Sequence, residues 1–157
     1  MTAAPTTLQE FIRRHRITIE CHRLTGPRPD ADPTDEWIRT ARHWRVSLTA
    51  QCEGETGGRT LSVYYSQGIA HTEPPTAVDV LASYCDDARS VEPRVPFESW
   101  AADMGRDPDS RLAHAVWRAC KRARNDLRLW ISPHFEALLA CRDARDDSAY
   151  QGGLVPR

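Results

Sequence analysis

Apolar and polar residues alternate along three segments in the first half of the chain, which is the period of a half-buried β-strand. The clearest alternation runs from Trp44 to Cys52, and shorter ones cover residues 17–21 and 61–65. Glycines at positions 54, 57 and 58 separate the second segment from the third. Because glycine tolerates the positive φ angles of turns, these two segments are predicted to form a hairpin within a three-stranded antiparallel sheet.

Apolar residues recur at intervals of three and four in the segments around these strands, which is the helical period. Thr7 is followed by Glu10, the pattern of a capping box, and predicts a helix before the sheet. Thr76 with Asp79 predicts a helix start after it. A helical turn is expected within residues 34–42, and a short helix carrying Trp100 should follow the prolines at 93 and 96.

The longest helical pattern begins near Asp107-Pro108, where an N-cap acceptor precedes a proline, and a last helix is expected from Ser132-Pro133. The elements predict an α+β fold, with a three-stranded antiparallel sheet preceded by one helix and followed by three to four helices packed on it. Residues 1–150 are predicted to form one domain. Residues 151–157 read as a linker and the remnant of a thrombin cleavage site.

Composition and charge exclude several kinds of protein. With 157 residues and a formal net charge of -1, the chain is neither a strongly acidic mimic of nucleic acid nor a generally basic binder of it. The five cysteines are widely spaced without a CxxC pair, which favours reduced thiols. No secretory signal is readable and the apolar runs are too short for a bilayer, so a cytoplasmic location without membrane attachment is expected.

The longest helix carries the candidate binding residues. At 100° per residue, one flank of its apolar stripe holds an aromatic residue among cations, and the outer side gathers three arginines. The first set is Trp117, Lys121, Arg124 and Arg128, and the second is Arg111, Arg118 and Arg122. Such a surface suits contact with phosphates and bases or with an acidic protein, although amphipathic helices commonly have a solvated basic face.

Sites for metals and catalysis are weakly indicated. Zinc would have to be held by Cys21, His22, His43 and Cys52, but successive residues of a strand point to opposite faces, so no metal and no cofactor are expected. No GxSxG motif occurs, and we assign no catalytic residue. The segment from Ser66 to His71 brings a hydroxyl and an imidazole close in sequence, which leaves a minor enzyme as a third hypothesis.

Two blocks of sequence resemble a family of short proteins encoded by tailed bacteriophages and prophages. The first is the HTEPPTA block within residues 66–81, and the second is FESWA with the DSR triplet that follows, within residues 97–120. Residues 7–11 and 44–46 add to the likeness, which thus covers nearly the whole chain. One departure is Arg106, where the family tends to have an aromatic residue. The resemblance implies a phage or prophage origin and brings no catalytic residue.

Together these observations favour a protein that acts by binding and not by catalysis. The leading hypothesis is an accessory protein that binds and blocks a component of host defence, with inhibition of CRISPR as its most concrete form. The alternative is a module of phage replication or regulation that binds DNA or RNA through the basic helix.

Overall fold

The structure is a computed structural model that describes residues 5–26, 28–29, 34–52 and 54–143. The elements, in chain order, are α1 (Leu8–Arg14), β1 (Thr18–Arg23), α2 (Glu36–Thr40), β2 (Arg42–Ala50), β3 (Arg59–Gln67), α3 (Ala77–Ser90), α4 (Phe97–Asp103), α5 (Arg111–Trp130) and α6 (Phe135–Asp143). A single 3-10 turn, Ser132–His134, leads into α6. The α+β class is confirmed, with one helix before a three-stranded antiparallel sheet and several after it. The predicted linker and cleavage remnant lie outside the described residues.

The sheet has the strand order β1-β2-β3, and both neighbouring pairs are antiparallel. The predicted alternation in β2 is confirmed: Trp44, Val46 and Leu48 are buried, whereas Arg45 is exposed. Val46 lies opposite Val63 across the hairpin, so the apolar residues of both strands share one face. Residues 43, 45, 47 and 49 therefore face the other way.

Helices cover the apolar face of the sheet and form the larger core with it. Leu8 and Phe11 of α1, Leu81 of α3 and Leu138 of α6 belong to this core, as does Leu127 near the end of α5. The predicted helix start at Thr76 is confirmed, and a capping box forms there. The Thr76 hydroxyl accepts from the backbone N–H of Asp79, and the Asp79 carboxylate accepts from that of Thr76.

A second, smaller core lies between α4 and the first half of α5. Phe97, Trp100 and Ala101 of α4 pack there with Ala113 and Cys120 of α5. Helix α5 thus contributes its first half to one core and its last turns to the other. This arrangement separates the first half of α5 from the sheet and leaves space on both of its flanks.

The predicted start of the longest helix is wrong by one turn. Helix α5 begins at Arg111, with Ser110 as N-cap accepting from the N–H of Ala113. The Asp107 carboxylate instead accepts from the N–H of Asp109, and the Asp107 carbonyl accepts from that of Ser110. An aspartate before proline therefore forms a local turn here, which is the competing use of that residue pair.

Candidate functional site

Helix α5 has 20 residues and is about 30 Å long. Its sequence carries six cationic side chains and one carboxylate, that of Asp126. The three outer arginines, Arg111, Arg118 and Arg122, are exposed. The predicted division of the helix into two basic sides is therefore present, and each side has its own surroundings.

Trp117 is half-buried, because the ring of Phe97 meets it edge-on with the centroids 5.3 Å apart. The Lys121 ammonium lies 4.3 Å from the centroid of the same indole, within the range of a cation–π contact. Phe97 and Lys121 therefore cover part of the indole of Trp117, which leaves less of its surface exposed than stacking on a nucleic-acid base requires. The tryptophan fixes the position of Lys121 and ties this flank of α5 to α4.

Arg124 has a structural contact that the sequence pattern did not indicate. Its Nη1 donates to the carbonyl oxygen of Ala88 at 3.2 Å, near the end of α3, and its guanidinium carbon lies 5.5 Å from the ring centroid of Phe135. The last carbonyls of a helix lack intrahelical donors, so this arginine satisfies one of them. Arg128 is exposed and donates to the Asn125 side chain.

A groove of about 420 Å³, which we call the α5 groove, runs between this flank, the segment after α3 and the start of α6. Its polar lining consists of Glu92, Trp117, Lys121, Arg124, Asn125, Arg128 and Glu136. Val91 and Phe135 supply apolar surface between them. The groove therefore joins four of the seven predicted binding residues, but it also contains two carboxylates.

The other flank of α5 borders a cleft of about 460 Å³ at the β3 edge of the sheet, which we call the edge cleft. It is lined by residues that include Arg28, Trp37, Tyr64, Ser66, Tyr84 and Arg122. Arg122 thus belongs to this cleft, whereas Arg111 and Arg118 line neither space. The structure consequently divides the seven predicted residues among a groove, a cleft and an outer surface.

Tyr84 is held in the edge cleft by a hydrogen bond from its hydroxyl to the Asp126 carboxylate at 3.1 Å. Burial, and then the negative charge of Asp126, raise the pKa of Tyr84 well above its usual value. The pKa of the neighbouring Cys85 thiol is also raised, chiefly by burial.

These two pKa shifts predict alkaline destabilisation. Both groups stay protonated in the folded protein, but they ionise in the unfolded chain from their ordinary values of 9.0 and 10.0 upward. The free energy of unfolding should therefore fall as pH rises above about 9, by roughly 1 kcal/mol per group and pH unit once ionisation is complete. Urea denaturation at about pH 8 and about pH 11 measures the loss. The Tyr84→Phe variant should lose less over this interval, and an equal loss would contradict the assignment to Tyr84.

The sequence hypothesis that joined Ser66 to His71 is not what the structure shows. The backbone N–H of His71 donates to the Gly68 carbonyl, and its own carbonyl accepts from Arg42 at 2.7 Å, so His71 shapes the loop. Ser66 is hydrogen-bonded to His43 instead, its cross-strand partner in the hairpin. This pair is not evident from the sequence, because the two residues are 23 positions apart and meet only through the hairpin register.

Across the part of the chain that is described, no three histidine, cysteine, aspartate or glutamate side chains gather as metal ligands. Within the same residues, no helix combines the length and apolarity needed to cross a membrane. No family model, curated protein or solved structure matches the chain. The resemblance to short phage proteins accordingly stays a prediction.

Proposed function

We propose that the protein acts by binding, and that the basic surface of α5 attaches it to an acidic protein. The observation that carries this proposal is the spacing of the cations. Arg118 and Arg122 are four residues apart, as are Arg124 and Arg128, and Lys121 is three residues from both Arg118 and Arg124. Like charges at this spacing destabilise an isolated helix by about 0.2–0.5 kcal/mol per pair. Helix stability therefore does not explain the arrangement, whereas an anionic partner would relieve it.

The cations of α5 also form no salt bridge with a carboxylate among the residues that the structure describes. Arg111 stands in the first turn of the helix, where the helix dipole disfavours a positive charge. These side chains consequently offer uncompensated charge to an approaching surface, which speeds and orients association with an acidic one.

Two features favour a protein over nucleic acid as the partner. Glu92 and Glu136 line the α5 groove and would repel phosphates that entered it. Trp117 is partly covered by Phe97 and Lys121, so it presents less surface for stacking on a base. A protein segment of mixed charge, with an apolar side chain against Val91 and Phe135, suits the groove better.

The resemblance to phage and prophage proteins supports a specific setting for this binding. In that setting the protein is an accessory factor that blocks a component of host defence, with a CRISPR effector as the most concrete target. The near-neutral net charge also fits a protein that recognises one partner with a local patch instead of coating nucleic acid.

Binding of DNA or RNA is the second candidate function, and the outer arginines favour it. Arg111, Arg118 and Arg122 are exposed along one side of α5 and line neither the groove nor, except for Arg122, the edge cleft. A row of this kind can follow a phosphate backbone without entering the groove.

A plaque assay tests the leading proposal. The protein is expressed in a host whose CRISPR system restricts a phage, and plaquing efficiency is compared with that of an empty-vector host. Plaquing should be restored, because a blocked effector no longer cleaves the phage genome. Restriction that persists with every CRISPR type would remove this target.

Purification of the tagged protein from host lysate, with and without nuclease treatment, then distinguishes a protein partner from a nucleic acid.

A further inference from the structure

Ser66 and His43 form a hydrogen-bonded pair on the sheet face that turns away from the larger core. They lie directly opposite each other on β3 and β2, at the end of the hairpin covered by α2. The Ser66 hydroxyl oxygen is 2.7 Å from His43 Nδ1, and His43 Nε2 is 2.6 Å from the carbonyl oxygen of Ile38. A nucleophile, a base and a group that orients the base are thus within hydrogen-bond reach of one another.

The partners of these two residues determine where the protons lie. The Ile38 carbonyl can only accept, so Nε2 of His43 carries a hydrogen, and in the neutral ring Nδ1 is then the acceptor. Arg28 Nη1 lies 3.2 Å from the Ser66 hydroxyl oxygen and can only donate. In the neutral form of the ring, the single hydrogen of Ser66 is directed at His43 Nδ1. This is the protonation state that a serine nucleophile and its general base require.

Ser66 borders the edge cleft, through which a substrate reaches its hydroxyl, and His43 lies behind it. Ser66 is part of the cleft lining, together with Trp37, Ile38 and Tyr64. These three side chains suit an apolar acyl group, and the cleft lining also contains the charged residues Asp35, Asp87, Arg106 and Arg122. The Arg28 guanidinium donates to the serine oxygen, and its positive charge favours the loss of the serine proton.

We propose that Ser66 is a nucleophile activated by His43, and that the edge cleft takes apolar carboxylic esters. The serine oxygen bonds to the ester carbonyl carbon while its proton passes to His43 Nδ1. The bond to the alcohol oxygen breaks, and His43 returns the proton to the departing alcohol. Water then attacks the acyl-serine, gives a proton to His43, and releases the carboxylic acid as Ser66 regains its proton.

This inference goes beyond the proposed binding function and does not depend on it. Neither Ser66 nor His43 contacts Arg111 or Arg118, and these two arginines do not line the edge cleft. Loss of the binding function and loss of the serine chemistry can therefore be observed separately.

A fluorophosphonate probe tests the proposal on the native protein. Attack by Ser66 forms an oxygen–phosphorus bond and expels fluoride, and peptide mass spectrometry locates the label. We expect labelling at Ser66 in the folded protein, none after Ser66→Ala, and normal labelling after Ser83→Ala, a matched serine of the same cleft. Labelling no faster than in the urea-unfolded protein, or equal labelling of Ser83, would overturn the proposal.

A second measurement addresses the part played by His43 without depending on the probe. Alkylation by iodoacetamide is followed at position 66 in Ser66→Cys and at position 83 in Ser83→Cys, with the products identified by peptide mapping. A thiol beside an accepting imidazole ionises more readily, so the thiol at position 66 should react with an apparent pKa below the ordinary value of about 8.5. Position 83 lies on α3 and is not a cross-strand partner of His43, so its thiol should not show the shift caused by that imidazole. Identical pH profiles at the two positions would contradict activation by His43.

The positioning of Ser66 by His43 can also be separated from a purely structural contact. Hydrolysis of a p-nitrophenyl ester by His43→Gln should be slower by roughly 100-fold or more, since general-base catalysis contributes about that factor. Circular dichroism of the same variant reports whether it is folded. A folded variant with undiminished hydrolysis would count against the base assigned here.

Discussion

Replacing Trp100 with alanine should lower the free energy of unfolding by about 3–5 kcal/mol, the range found for large aromatic residues in protein cores. Trp100 is 2% exposed and is the largest side chain of the smaller core. Its removal leaves a cavity between α4 and α5 that the short α4 helix cannot fill without moving. Urea denaturation followed by circular dichroism measures the loss.

Trp37 is the matched control for this substitution, because it is a half-buried tryptophan on α2 and belongs to neither core. We expect Trp37→Ala to cost clearly less, since the transfer free energy lost scales with the apolar area removed from water. Equal costs for the two variants would mean that the smaller core contributes little to folding. The first half of α5 would then need another source of support.

The sheet could be predicted from the sequence because apolar and polar residues alternate along a half-buried strand. Trp44, Val46 and Leu48 alternate with polar residues, and the glycines after Cys52 mark the turn. The capped start of α3 at Thr76 could also be predicted from the sequence, since the cap is a local hydrogen-bonded motif. Features of this kind depend on residues within a few positions of one another.

The start of α5 could not be predicted because two local structures compete for the same residues. Asp107-Pro108 can open a helix or form a turn, and the later N-cap at Ser110 is equally suitable. The position of α4 against Ala113 favours the later start, and that contact is tertiary. Sequence periodicity does not contain this information.

The functional surfaces were predicted only in part for the same reason. Helical spacing correctly separated Lys121 and Arg128 from Arg118 and Arg122, because the angle around a helix follows from sequence position. It could not show that Arg124 is engaged with Ala88. The Ser66–His43 pair requires the exact register of the hairpin, and a shift of one residue would move Ser66 to the other face.

Reversing two charges on the outer side of α5 should weaken binding of the proposed acidic partner by about 100-fold or more, the scale of interface positions that dominate affinity. The variant is Arg118→Glu combined with Arg122→Glu, both at exposed positions. Each substitution removes an attraction and adds a repulsion against the same anionic surface. Because both side chains are exposed, the free energy of unfolding should change by no more than about 0.5 kcal/mol.

The matched control is Arg23→Glu combined with Arg45→Glu, which changes the net charge equally at exposed positions of β1 and β2. Titration calorimetry against the purified partner, at low and high salt, compares the three proteins. The native protein should lose affinity as salt increases, and the α5 variant should respond less because it makes fewer ionic contacts. Equal losses in both variants would show that overall charge governs association. Full affinity in the α5 variant would remove the outer side of α5 from the interface and leave the α5 groove as the binding surface. If the partner is nucleic acid, the slope of log affinity against log salt concentration should be smaller by about two in the α5 variant. Each arginine removed takes away one phosphate contact.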